Sequence, residues 1–210
     1  MLFALDFDST LAQTDPYVRL AEENGTSEEV SALLDRISRG DVAFEAGLQS
    51  VADHLEGLKE DAAEDALADL RVDPVAADLV TSLRAADHHV AIITAAPERA
   101  IHSAFAPSEL AADSVFANRL PAVDGALTGT LHGRLLHRTK ARALDAIAAT
   151  EGIELEETMA VGSDRRDLPM LQTAGTGIAV DPTSLVERES DYAFSSLERA
   201  REWFERENIV

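Results

Sequence analysis

Across 210 residues the chain sets 18 Lys and Arg against 39 Asp and Glu, a formal charge of −21, with 46% apolar residues and no Cys. That composition is globular rather than disordered and long enough to build a full core in one to two domains. It excludes disulfides, thiolate metal sites and thiol catalysis, and its acidity argues against nucleic acid and anionic lipid as partners, because no basic face is available for counterion release.

The first apolar run, LFALDF at 2–7, is short and bounded by acids, as a buried strand would be. An acid at position 6 and the lack of a basic stretch before it do not fit a secretory signal. No apolar run approaches the ~18 residues of a membrane span, so a cytoplasmic protein is expected. Residues 14–71 show helical spacing in four segments, near 15–24, 27–38, 42–57 and 59–70, and no strand. Leu33, Leu34 and Ile37 form one stripe and Leu48, Val51 and Leu55 another, which predicts a small helical module inserted after the first strand.

Strand–helix alternation returns after Asp73-Pro74. The pattern predicts a helix over 74–86, the strand HVAIIT over 89–94, and a helix with Pro97 in its first turn. Within 115–133, Asp124-Gly125 is a type I′ turn dipeptide between apolar positions, the mark of a hairpin. Then come a helix over 139–151, a strand over 158–162, a helix over 167–174, strands over 176–180 and near 192–194, and a helix over 196–206. Such alternation predicts an α/β fold with a doubly wound parallel sheet. Its core would be 1–13 and 72–210. Ligands bind such sheets at the carboxyl ends of strands, which directs attention to Asp6-Phe7-Asp8, Thr94, Gly162-Ser163-Asp164 and Asp181.

Asp6 and Asp8 stand two apart, so on an extended chain they point the same way with Cα atoms roughly 6.6 Å apart. Two such carboxylates repel unless a cation or a proton sits near them, and a hard cation such as Mg²⁺ suits their oxygens. A bare pair of this kind is equally a solvated strand end. The histidines at 88, 89, 132 and 137 offer no ligand spacing on a common face.

LDFDST is followed, in order, by AIIT ending in Thr94, by Lys140 in HRTKARAL, and by AVGSDRRDLPML. This series resembles the haloacid dehalogenase superfamily of Asp-nucleophile phosphatases and phosphotransferases. The stretches RGDVAFEAGL, FANRL, DGALTGTLHG, EGIELEETMAVG and DLPML are similar to those of its phosphoserine phosphatase branch. The resemblance implies a Rossmann-like core with the helices of 14–71 as a cap, and a small phosphomonoester as the partner molecule. Asp6 would be the nucleophile that forms an aspartyl-phosphate, and Asp8 the general acid and base. Thr94, backbone N–H groups near Ala95, and Lys140 would bind the phosphate. Mg²⁺ would be held by Asp6, Asp8 and the acids Asp164 and Asp167.

The chain departs from the family pattern in two places. The pattern Gly-Asp-x-x-x-Asp is met by Gly162-Ser163-Asp164-Arg165-Arg166-Asp167, so Ser163 stands where an acid binds the metal directly. Arg165 and Arg166 either bind substrate or pair with acids. In the cap, Asp15 replaces the Glu that holds the amine of phosphoserine. Val51 replaces the Arg that holds its carboxylate, with Gln49 two residues before. A Val cannot pair with a carboxylate. Two alternatives follow: a phosphotransferase on the same core, or a catalytically weakened phosphate-binding protein. Only Lys59 and Lys140 are Lys, against 16 Arg; an acidic, Lys-poor surface suits a very salty cytosol, where salt screens self-repulsion. Oligomeric state is not written in the sequence.

Overall fold

The computed structural model describes residues 1–70, 72–105, 112–133, 135 and 139–210. His137 and the expected domain boundary at residue 71 lie outside the described residues. Strand β1 (Leu2–Leu5) is the centre of a seven-stranded sheet. On one side of it lie β2 (His89–Pro97), β3 (Ser114–Arg119) and β6 (His132–Gly133). On the other lie β7 (Thr158–Gly162), β8 (Thr176–Val180) and β9 (Tyr192–Phe194). All neighbours pair in parallel except β3 with β6 at one edge. The chain moves outward from β1 through β2 and β3, then crosses back to β7 on the other side. The strand order therefore reverses between β1 and β7, the place where open α/β sheets hold ligands.

All four residues of β1 are buried, and they alternate between two cores. Phe3 and Leu5 join one apolar cluster, whereas Leu2 and Ala4 join the other with Ala91, Ile93 and Leu144. Leu5 pairs with Ile92 of β2 and with Val161 of β7. The Asp6 N–H donates to the Val161 carbonyl at 2.9 Å, so the pairing continues one residue further. There the strand stops, shorter than the 2–7 expected. The N–H groups of Leu11 and Ala12 both turn back to the Phe7 carbonyl, and Ser9 takes a left-handed φ of 59°. Asp8 consequently sits on a tight loop rather than on an extended strand.

Four helices follow: α1 (Pro16–Asn24), α2 (Ser27–Arg39), α3 (Phe44–Asp53) and α4 (Glu60–Ala68). Asp15 caps α1 and Pro16 opens it, the arrangement favoured at helix starts. Val30, Ile37, Leu48, Val51 and Leu67 belong to the same apolar cluster as Phe3, Leu5 and Phe7, so the insertion shares its packing with the sheet. It also gains an element from later in the chain. The hairpin β4 (Ala122–Val123) and β5 (Ala126–Leu127) turns through Asp124 and Gly125, both left-handed, as the dipeptide predicts. Its far edge pairs with the chain before α4: Gly57 N–H donates to the Leu127 carbonyl and Leu127 N–H to the Leu58 carbonyl.

The remaining helices are α5 (Pro74–Ala85), α6 (Glu98–Ala104), α7 (Lys140–Glu151), α8 (Leu168–Leu171), α9 (Ser184–Glu189) and α10 (Leu197–Arg206). Pro97 is the last residue of β2 and caps α6, one place before the helix it was expected to enter. Helix α8 is half the length expected, and α9 has no counterpart in the sequence reading. No helix of the described residues is long and apolar enough to cross a membrane.

Candidate active site

At the carboxyl edge of the sheet, β1 delivers Asp6, β2 delivers Thr94, and β7 delivers Gly162 and the loop behind it. Asp6 is only 2% exposed. One carboxylate oxygen, Oδ1, accepts from the Lys140 ammonium at the start of α7, and the other, Oδ2, accepts from the Thr10 hydroxyl at 3.3 Å. The same ammonium donates to Asp167 Oδ1 at 2.5 Å. One buried cation therefore joins two buried acids. Burial works to lower Lys140, but Asp167 and then Asp6 more than offset it and hold its pKa above the usual range. Burial first, then the charge of Asp167, raises Asp6 well above an ordinary carboxyl; Lys140 works against that rise.

Asp8 faces the other strand. Its Oδ2 accepts from the Thr94 hydroxyl at 3.1 Å, and Thr94 Oγ1 in turn accepts from the Ala96 N–H. Burial, and after it the charge of Asp15, pushes Asp8 from its usual value up to about 7. The Ala95 carbonyl is tied down by two donors, the Tyr17 hydroxyl at 2.8 Å and the Asn118 amide at 3.0 Å. Tyr17 thus links α1 to the end of β2.

Asp167 is completely buried and acts as the brace of the last loop. Its Oδ2 accepts from the N–H groups of Ser163 (2.8 Å) and Asp164 (3.0 Å). This close folding requires glycine at 162, since a Cβ there would lie 2.5 Å from Asp167 Cβ. Asp164 is turned to Arg166: its Oδ1 accepts from the Arg166 N–H, and its Oδ2 from Nε at 2.6 Å and Nη2 at 2.5 Å. Burial works to raise Asp164, but the guanidinium beside it wins and holds it below the usual carboxylate range. Arg166 also acts electrostatically on Asp8, Asp6 and Asp15.

The structure brings Asp6, Asp8, Thr94, Ala95, Lys140, Asp164 and Asp167 to one edge. Asp15 borders it, spending Oδ1 on the N–H groups of Tyr17 and Val18 as helix cap. Gln49 and Val51 lie elsewhere. Gln49 bonds Asp53, the Gly129 carbonyl and the Leu131 N–H, and Val51 is fully buried in the apolar cluster. Asp181 is exposed, its N–H tied to the Phe194 carbonyl. Thr10, Tyr17 and Asn118 were missed. Thr10 and Asn118 sit in LDFDST and FANRL, and Tyr17 in the first expected helix, but their partners lie in distant segments or on the turn, where spacing gives no signal.

A cavity of about 430 Å³ opens beside these groups. Ile37, Val42 and Phe44 from the helical insertion form an apolar wall, and Lys140, Arg165 and Arg166 a cationic one. For a metal ion, the donors are oxygen only, the kind a hard divalent cation takes. Asp8 Oδ1 and Ser163 Oγ are both buried without a hydrogen-bond partner among the described residues, as oxygens left for a cation would be. The residues therefore fit Mg²⁺ in kind, with a hydroxyl in place of one acid. Among the described residues, no three acids or histidines are already gathered around one point; Lys140 and Arg166 stand between them.

A sequence profile of the haloacid dehalogenase-like hydrolases matches residues 3–172. The chain belongs to this family. It is 37% identical over 197 residues to a phosphoserine phosphatase of Halobacterium salinarum, covering 94% of this chain and 93% of that one. Among solved structures, a substrate-bound phosphoserine phosphatase complex superimposes with a TM-score of 0.88 at 29% identity over 96% of this chain and 97% of the other. A phospho-aspartyl intermediate analogue of phosphoserine phosphatase gives 0.87 at 29% identity, with the same coverage. These likenesses support a phosphatase of the haloacid dehalogenase type and favour neither a phosphotransferase nor a bare binding protein.

Proposed function

We propose that the chain hydrolyses a small phosphomonoester through an aspartyl-phosphate on Asp6. The observation that carries this reading is the pair of buried carboxylates at the end of the central strand, one held by Lys140 and the other by Thr94. In the first half-reaction an Asp6 oxygen attacks phosphorus, the bond to the ester oxygen breaks, and Asp8 gives that oxygen its proton. In the second, Asp8 takes a proton from water as the water attacks the same phosphorus, and Asp6 leaves with phosphate released. A carboxyl titrating at about 7 can hold and return a proton near neutral pH. Thr94, the N–H groups near Ala95 and Lys140 bind the phosphoryl oxygens as charge redistributes. Asp6 and Asp8, with Asp164 or Asp167, would hold Mg²⁺, which would supply further charge neutralisation there.

The helical cap closes the cavity and excludes water. Phosphoserine is the first ester to test, on the strength of the relatives' names. Yet the position expected to hold its carboxylate is the buried Val51, so other esters belong in the panel. The charge of −21 and the scarcity of Lys support work in a salty cytoplasm. The test is phosphate release from a panel of phosphomonoesters in molar KCl with Mg²⁺, beside Asp6→Asn. Turnover of a preferred ester, reduced at least about 1,000-fold in the variant, is expected. No release from any ester by folded protein would overturn the reading.

A further inference from the structure

The loop after β7 sets two arginines beside the site. Ser163 removes the acid that the family pattern sets against the metal, and Arg165 and Arg166 balance Asp164 and Asp167, so the loop from Ser163 to Asp167 is formally neutral. Arg166 is fixed rather than free: its backbone N–H, Nε and Nη2 all bond the Asp164 carboxylate. Two of its three guanidinium nitrogens are spent there, and Nη1 has no acceptor among the described residues. The side chain is 24% exposed, and Arg166 lines the same cavity as Lys140 and Ala95. The unspent nitrogen still offers a phosphate oxygen a charge-assisted donor. Asp164, read from sequence as a candidate metal ligand, is the anchor of that guanidinium.

We propose that Arg166 is a built-in cation of the phosphate site, which with Lys140 binds a phosphate dianion when no divalent ion is present. The inference rests on the reading of this edge as a phosphate site, and deepens it. Three features agree. The position that would recruit the metal most directly is a neutral hydroxyl. The nearest additional acid is already neutralised by Arg166. The fixed guanidinium, paired first with Asp164, also acts on Asp8 and Asp6 and offsets part of their repulsion of an anion. A divalent ion would then add to phosphate binding rather than be its condition.

The test is calorimetric titration of inorganic phosphate into the full chain in molar KCl with EDTA, beside Arg166→Gln, Arg166→Lys and Ser163→Asp. The wild-type chain is expected to bind phosphate in EDTA. Arg166→Gln is expected to weaken that binding at least tenfold, and Arg166→Lys to keep part of it. Ser163→Asp is expected to make binding depend on added Mg²⁺. If Arg166→Gln fails to fold, Asp164→Asn replaces it: the guanidinium remains but loses its anchor, and phosphate affinity should again fall. Phosphate binding by wild type only with Mg²⁺, or equal binding in EDTA by wild type and the Arg166 or Asp164 variant, overturns the inference. Ester hydrolysis without metal-free phosphate binding strikes at this inference alone. Metal-free phosphate binding without hydrolysis of any ester strikes at the hydrolase reading alone.

Discussion

Asp8 depends on a single side-chain donor. Among the described residues the Thr94 hydroxyl is the one partner of its Oδ2, and its Oδ1 has none. Thr94→Val keeps the shape and the apolar half of the side chain but removes that donor, leaving a buried carboxyl with no hydrogen bond. The same hydroxyl is also read as a phosphate donor. Turnover should therefore fall about 100-fold or more, the loss typical of removing one oriented donor, while the circular dichroism spectrum is unchanged. Steady-state kinetics on the preferred ester check this; activity within a few-fold of wild type would remove Thr94 from the site. Legibility at this scale was uneven. Asp6, Asp8, Thr94 and Lys140 were readable because they sit in a series of short motifs whose order resembles a known family. The Thr10 bond to Asp6 was not, because it exists only once the chain curls back at Ser9. Tyr17 and Asn118 converge on the Ala95 carbonyl from 78 and 23 residues away, and nothing local announces such a meeting.

At the scale of elements, the loop after β7 is held by close packing against Asp167. A methyl at Gly162 would come 2.7 Å from Asp167 Oδ2, and the neighbour is a fully buried carboxylate with no room to move. Gly162→Ala is expected to lower stability by about 1–3 kcal/mol, read as a lower urea midpoint. An unchanged midpoint would mean that the loop is not braced as described. The parallel strands themselves were legible: LFAL, TMAVG and TGIAV are apolar runs of the length a buried strand takes, and the two-residue Asp-Gly turn was diagnostic. The ends were less so. Strand β1 stops at Leu5 because Asp6 and Asp8 leave for the loop, and β2 runs on to Pro97 because that segment is buried throughout. The union of the hairpin with the helical insertion was not legible, since backbone pairing between 57–58 and 127 has no side-chain signature.

For the whole molecule, the dominant quantity is net charge. With 39 acids against 18 bases, the folded chain repels itself more than the expanded one, and added salt should relieve that cost. The melting temperature is expected to rise by several degrees between low salt and molar KCl; a flat or falling curve would contradict adaptation to salt. The charge also bears on catalysis. An anionic ester must approach an acidic protein, and Lys140, Arg165 and Arg166 line the cavity beside the site with positive charge.

The central claim is that Asp6 carries the phosphoryl group. It is tested most directly by mixing the wild-type chain with its preferred ester, quenching in acid during turnover, and mapping peptides by mass. A phosphoryl adduct is expected on the peptide containing Asp6 and not in Asp6→Asn. Undiminished turnover in Asp6→Asn, or an adduct on a different residue, would contradict it.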